Sequence, residues 1–139
     1  MSPLIIKVSV IDKKTEKYKK VILKKARLVA SFLALEGYLE IFLVGDKQMK
    51  KNVLSYVGKE TRGSFLRPDI KAKNLGEIYL NPFYIKEKKD SLLFMLFHGL
   101  LHIAGYDHKQ KNDRIRMEKA EQKLLLKIRS TKHEIRNNI

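Results

Sequence analysis

Cysteine is absent from the 139-residue sequence, which also has only three prolines and four histidines. Without cysteine the chain has no disulfide bridge and no thiolate metal site, so any transition metal must be held by histidine, aspartate or glutamate. The absence of cysteine also fits a reducing compartment. Because no internal repeat, low-complexity tract or Pro/Ser-rich linker divides the chain, we interpret residues 1–139 as a single domain.

Long apolar runs are missing as well. Residues 1–14 lack the apolar core and the small-residue cleavage site of a signal peptide. The most apolar run, residues 91–106, is shorter than a membrane span and contains two histidines. We therefore expect a soluble, cytoplasmic protein that does not associate with membranes.

Acidic residues are scarce relative to basic ones. Thirty Lys and Arg residues against fifteen Asp and Glu residues give a formal net charge of +15. This charge is typical of a protein that binds a polyanion, with a nucleic acid as the first candidate. The alternative is a role in solubility or a lysine-rich composition. The candidate phosphate contacts are Lys50, Lys51, Arg62 and Arg67, and the alternative for each is an ordinary surface charge.

Hydrophobic periodicity predicts both strands and helices. The predicted strands lie at residues 4–11, 38–45, 52–57 and 76–82. The predicted helices run over residues 15–35, from Asp90 or Ser91 to Ala104, and over residues 111–130. Gly37 can close the first helix. This order indicates an α+β fold, a small mixed four-stranded sheet packed with about four to five helices.

Three of the four histidines fall within residues 98–108, HGLLHIAGYDH. His98 and His102 are four positions apart on a predicted helix, so their imidazoles rise from one face and can take two corners of a metal tetrahedron. Gly105 can adopt the left-handed backbone that turns the chain, which would return His108 to the metal. Three imidazoles leave one position open for a water molecule, as expected of a catalytic zinc ion.

The alternative is that His98 and His102 are buried core residues and that His108 lies on the surface. The spacing favours a metal site, because it matches the metzincin zinc helix and turn, H-E-x-x-H-x-x-G-x-x-H, at every ligand and at the glycine. The glutamate that acts as general base in those proteases is Gly99 here, which disfavours a peptidase of that mechanism. Gly99 either opens room beside the metal for a bulky substrate or allows close packing against a strand.

The same residues carry a resemblance to a known family. HGLLHIAGYDH resembles the signature of the YbeY family, H-G-x-L-H-x-x-G-Y-D-H, at all its specified positions. Residues 52–56, NVLSY, resemble that family's N-V-L-S-F segment, and residues 75–78, LGEI, resemble its L-G-D-I strand. The resemblance spans at least residues 38–128. One departure is a missing stretch of the type Y-R-G-x-D-x-x-T before N-V-L-S, whose arginine is associated with activity; Arg62 or Arg67 could substitute in space.

The resemblance implies a single-strand-specific, metal-dependent endoribonuclease of rRNA maturation and ribosome quality control, with precursor rRNA and the ribosome as partners. The implied cofactor is one zinc ion per chain on His98, His102 and His108, although three imidazoles also suit nickel or another divalent ion. The metal-bound water is the only catalytic group that the sequence identifies, and the oligomeric state stays open. The alternatives are a non-catalytic RNA-binding assembly factor with a structural metal, and a metallohydrolase of another substrate, which would leave the +15 charge unexplained.

Overall fold

The computed structural model describes residues 4–58, 74–106 and 111–137, with side chains up to residue 127. Along the chain, one strand and one helix come first, then three strands, and then three helices. The strands are β1 (Leu4–Val10), β2 (Gly37–Leu43), β3 (Val53–Val57) and β4 (Asn74–Leu80). The helices are α1 (Lys19–Phe32), preceded by a 3-10 helix (Lys13–Tyr18), α2 (Pro82–Glu87), α3 (Leu92–Ile103) and α4 (Lys111–Asn137). The predicted α+β class and helix number are confirmed.

The four strands form one mixed sheet in the order β1-β2-β4-β3. β1, β2 and β4 run parallel to one another, and β3 pairs antiparallel with β4. Parallel neighbours require a crossover connection, which α1 supplies between β1 and β2. The order leaves β3 at an edge of the sheet, where it packs beside α3.

One face of the sheet is covered by α1 and α3. In a strand, alternate side chains point to one face, and here those of the two central strands are fully buried against the helices. They are Leu39, Ile41, Leu43, Ile78 and Leu80. Phe97 and Leu100 of α3 pack in the same core cluster, so the helix that carries the histidine motif is held firmly by its apolar side.

Local signals define both ends of α3. The hydroxyl of Ser91 accepts a hydrogen bond from the Phe94 N–H at 3.2 Å, a typical N-cap. At the other end Gly105 has a φ of +105°, and the Tyr106 N–H donates to the carbonyl oxygen of Leu101. This is the glycine-terminated Schellman arrangement. The prediction that Ser91 can begin this helix and that Gly105 ends it is confirmed.

Two expectations about helices were wrong. The first helix is not closed by Gly37, which instead begins β2; Ala34 takes the left-handed position, with a φ of 53°, directly after α1. The short helix α2 lies outside the predicted helix ranges, and its Pro82 is the last residue of the strand predicted at 76–82. Asn81 caps α2 by accepting from the Tyr84 N–H, and Pro82 occupies its first turn, where a missing N–H costs nothing.

Throughout the ranges that the structure describes, no helix has both the length and the apolar character needed to cross a lipid bilayer.

Candidate functional site

His98 and His102 lie one turn apart on the same face of α3. Their Nε2 atoms are 3.2 Å from each other, and the two rings meet edge to face. Two nitrogens that each lie about 2.0–2.1 Å from one tetrahedral ion are separated by roughly 3.3 Å. The two nitrogens are therefore close enough to share one zinc-type ion, and without an ion the same separation fits a hydrogen bond between the rings. The side chain of His98 is 29% exposed, so it is not the fully buried core histidine of the alternative interpretation.

Glu121 of α4 contacts the opposite side of the His98 ring. Its Oε1 atom lies 3.1 Å from His98 Nδ1, and its side chain is only 13% exposed. A carboxylate accepts hydrogen bonds, so it favours the tautomer in which Nδ1 carries the proton and Nε2 presents its lone pair. This carboxylate–histidine contact is the usual support for an imidazole metal ligand.

Glu121 was not among the residues predicted from the sequence, although a signal for it was present. Met117, Glu121 and Leu124 follow the i, i+4, i+7 spacing of one helix face, and both Met117 and Leu124 are buried. A carboxylate within an apolar stripe needs a partner, because burial of an unpaired charge is costly. The sequence could not show which residue would be that partner.

The third predicted ligand, His108, lies outside the described residues. Among the residues that are described, no group of three or more histidine or carboxylate side chains is arranged to hold a metal ion. The complete three-histidine site therefore stays a prediction, of which the structure places the first two members.

A cavity of about 500 Å³ lies in front of the two histidines, between the edge strand β3 and α3. Its strand side is lined by residues 52–55, and its helix side by Phe94, Met95, His98 and His102. The segment that resembles N-V-L-S thus forms one wall of the candidate site and the histidine helix forms the other. The imidazole edges are reachable from solvent through this cavity.

Gly99 packs against the sheet. A Cβ atom at this position would lie 3.1 Å from Cγ2 of Ile78 and 3.1 Å from Oγ of Ser55. Both distances are tighter than ordinary van der Waals contact, so a side chain here would require its neighbours to shift by a few tenths of an ångström. Of the two explanations for Gly99, close packing against a strand is the one that the contacts support.

The predicted phosphate contacts divide into two groups. Lys50 and Lys51 are exposed in the turn before β3, directly beside Asn52, which lines the cavity. The side-chain Nδ2 atom of Asn81 stabilises this turn by donating a hydrogen bond to the Met49 carbonyl oxygen at 2.7 Å. Arg62 and Arg67 lie outside the described residues, so their predicted role is untested.

A second cavity, of about 430 Å³, includes residues of β2, β3 and β4 that alternate with the core-facing ones. Tyr79 stacks on Phe42 there, with ring centroids 4.8 Å apart, and its hydroxyl donates to Glu77 Oε2 at 2.9 Å. Burial, and then the hydrogen bond to Glu77, raise the pKa of Tyr79 to about 12. Neither His98 nor His102 lines this cavity.

Comparison with known proteins assigns the chain to a family. The family model described as Endoribonuclease YbeY matches residues 4–129. The chain belongs to the YbeY family. Among YbeY proteins, the Endoribonuclease YbeY of Buchnera aphidicola subsp. Schizaphis graminum is 32% identical over 124 residues, which cover 78% of this chain and 72% of that protein.

A second YbeY relative supports the assignment. The Endoribonuclease YbeY of Thermodesulfovibrio yellowstonii is 30% identical over 106 residues, covering 66% of this chain and 67% of the relative. The resemblance that rested on the histidine signature and two short segments is thereby confirmed as family membership. In this YbeY chain the wall formed by residues 52–55 follows directly on Met49, Lys50 and Lys51, without the arginine-bearing stretch noted above.

Proposed function

We propose that this YbeY family member is a metal-dependent, single-strand-specific endoribonuclease that acts in rRNA maturation and ribosome quality control. The observation that carries the proposal is the pair of Nε2 atoms of His98 and His102, 3.2 Å apart on the wall of an open cavity. Family membership supports the proposal, since the similar proteins bear the name Endoribonuclease YbeY. The net charge of +15 supports a polyanionic substrate.

The residues present fit a divalent metal. Imidazole nitrogens are preferred ligands of zinc and also suit nickel, and the Nε2 separation agrees with a shared tetrahedral ion. His98, His102 and His108 would hold the ion, and we propose one zinc ion per chain. When bound, such an ion supplies Lewis-acid chemistry at a phosphodiester.

Other residues of the chain would orient the metal ligands and bind the RNA. Glu121 holds the His98 ring through Nδ1, which keeps the Nε2 lone pair directed at the position shared with His102. Gly99 allows α3 to pack closely against Ser55 of β3 and Ile78 of β4. Lys50 and Lys51 stand beside the cavity, where their ammonium groups can bind the phosphates of an RNA strand. We propose precursor rRNA and the ribosome as partners, in the cytoplasm.

A second candidate is a non-catalytic RNA-binding assembly factor in which the metal is structural. Two features favour it: the arginine-bearing stretch before residues 52–55 is missing, and the general-base glutamate of the metzincin pattern is replaced by Gly99. In that case the fourth metal position would be closed or unused, and RNA binding would occur without cleavage.

Cleavage of a defined single-stranded RNA separates the two candidates. We expect zinc-loaded protein to cut it, and metal-stripped protein and a His102→Ala variant to lose cleavage while most RNA affinity remains. A duplex of the same sequence should resist cleavage. The thermal midpoint of each variant must be measured in parallel, because a bound metal can also stabilise the fold. A folded His102→Ala protein that cleaves as fast as the unaltered protein would exclude metal catalysis.

A further inference from the structure

His98 stands between two cavities. One is the cavity of about 500 Å³ between β3 and α3, and the other is a smaller cavity of about 230 Å³ that opens on the other side towards α4. Phe94 and His98 line both of them. The smaller cavity is completed by α4 residues, namely Arg114, Met117, Glu118 and Glu121. A ligand that enters the candidate site therefore meets the Phe94 ring and the α4 side chains next to the imidazole.

Phe94 is placed as an aromatic platform. It lies four residues before His98 on α3, so its side chain and that imidazole share one helix face. Phe97, three residues further along α3, is completely buried in the core. Phe94 is only half-buried and borders both cavities. An aromatic face beside a nucleic-acid site can stack with any base, because every base has a π-face.

Arg114 brings a guanidinium to the same place. It is exposed near the start of α4, and it lines the smaller cavity together with Phe94 and His98. No hydrogen bond or ion pair engages its side chain within the part of the chain that the structure describes. A guanidinium can bind a phosphate through two parallel hydrogen bonds, which fixes the orientation of the phosphate as well as its position.

We propose that Phe94 and Arg114 form a nucleotide-binding subsite beside His98, in which one RNA base stacks on Phe94 and an adjacent phosphate binds Arg114. The subsite rests on the proposed function, since it positions the strand at the candidate metal. It directs the RNA from the edge of β3, past His98, towards α4. Glu118 lies one helical turn from Arg114 and lines the same cavity. Its negatively charged carboxylate therefore repels a phosphate that binds Arg114.

The test measures the affinity of zinc-loaded protein for a short, fluorescently labelled single-stranded RNA by anisotropy, over a series of salt concentrations. Arg114→Ala should weaken binding and reduce the slope of log affinity against log salt by about 0.7, the value for one phosphate contact on a single strand. Phe94→Leu should weaken binding about tenfold without changing that slope, because stacking releases no counterions. Glu118→Gln should strengthen binding.

Matched variants separate the subsite from general effects. Lys123→Ala removes one exposed positive charge from the opposite face of α4, and it should leave affinity and slope nearly unchanged. Phe94→Tyr keeps the aromatic ring and should retain the affinity that Phe94→Leu loses. The intactness of the RNA is checked on a gel after each titration.

The outcomes distinguish the subsite from the proposed function. If the unaltered protein binds and cleaves RNA but Arg114→Ala behaves like Lys123→Ala, the phosphate contact is overturned and the proposed function stands. If Phe94→Tyr binds as weakly as Phe94→Leu, the stacking contact is overturned. If the unaltered protein neither binds nor cleaves single-stranded RNA, both the proposed function and the subsite fail.

Discussion

Glu121 Oε1 lies 3.1 Å from Nδ1 of His98, although 23 positions separate the two residues along the chain. The contact joins α4 to α3 at the base of the candidate site. It acts on the histidine that also faces His102, with an Nε2 to Nε2 distance of 3.2 Å. A substitution of Glu121 should therefore alter the affinity for a metal although no predicted metal ligand is replaced.

We expect Glu121→Gln to weaken zinc binding by about ten- to a hundredfold, the usual effect of losing a carboxylate behind a histidine ligand. The neutral amide cannot favour the Nδ1-protonated ring as strongly as a carboxylate does. A zinc titration against a competing chelator measures the change. Glu118→Gln removes a neighbouring, exposed carboxylate from the same helix and serves as control. Equal zinc affinities in the two variants would contradict the role of Glu121.

We expect purified protein to bind close to one zinc-type ion per chain, and His98→Ala, His102→Ala and His108→Ala each to lose most of it. A tetrahedral site that loses one of three protein ligands keeps too few to hold the ion. Elemental analysis after gel filtration measures the ratio of metal to protein. His133→Ala, outside the motif, should retain the metal. A variant of any motif histidine with its full metal content would disprove the three-ligand site.

We expect Gly99→Ala to lower the free energy of unfolding by about 1 kcal/mol. Alanine gains roughly 1 kcal/mol of helix propensity over glycine, but overpacking typically costs about 1–3 kcal/mol. The new Cβ would meet Cγ2 of Ile78, a rigid atom on a central strand, at 3.1 Å. Urea unfolding measures the change. Ser55→Ala should relieve part of the cost in the double variant, since Ser55 Oγ is the other close atom. A stabilised Gly99→Ala protein would show that α3 can move without penalty.

Two substitutions after helix ends should have opposite effects. Ala34 has a φ of 53° and Gly105 a φ of +105°, each in the position that follows the helix C-cap. Ala34→Gly should raise the free energy of unfolding by up to about 1 kcal/mol, and Gly105→Ala should lower it by roughly 1–2 kcal/mol, because a Cβ disfavours left-handed backbone. Chain neighbours and the backbone of α3 aside, no atom of residues 4–58, 74–106 or 111–127 lies within 4 Å of a Cβ at Gly105, so the expected cost is conformational. Denaturant midpoints test both signs.

We expect the stability of the protein to fall between pH 10 and pH 12 partly because of Tyr79. Its folded-state pKa is raised from 10.0 to about 12, so the folded protein holds this proton more tightly than the unfolded chain does. The resulting stabilisation is complete below the unfolded-state pKa and is lost as the pH rises through the folded-state pKa. Tyr79→Phe should therefore lose less stability over this interval.

Urea unfolding at a series of alkaline pH values provides the comparison. Tyr106→Phe removes an exposed tyrosine hydroxyl and is the matched control. Identical alkaline losses of stability in the two variants would show that burial and the hydrogen bond to Glu77 do not raise the pKa of Tyr79 in the folded protein.

The local features of the site were accessible from the sequence. Ser91 before an apolar run and Gly105 after it predicted the helix, and the four-residue spacing predicted that His98 and His102 share a face. These signals act through backbone geometry within one or two turns, so the residues concerned suffice to express them. The strands were likewise predicted to within a few residues, because alternation along a strand is also a local pattern.

The sequence did not by itself determine which residue takes the left-handed conformation at the end of α1. Gly37 and Ala34 both stand near the end of α1, and propensity alone favours glycine for the left-handed position. Ala34 takes it because Gly37 is committed to β2, where it pairs with Leu4 of β1. The pairing of Gly37 with Leu4, 33 positions away, thus outweighs the local preference for glycine at the left-handed position after the helix.

Only the tertiary structure decided which distant residues meet at the candidate site. The strand order β1-β2-β4-β3 puts β3 beside α3, so that residues 52–55 face the histidines. The packing of α4 brings Glu121 into contact with His98 and places Arg114 at the cavity that Phe94 also lines. Composition and residue spacing do not predict these positions, because each depends on how several helices and strands pack together in one core. The sequence determined which side chains could bind a metal, and the packing of the helices determined which groups stand behind and beside them.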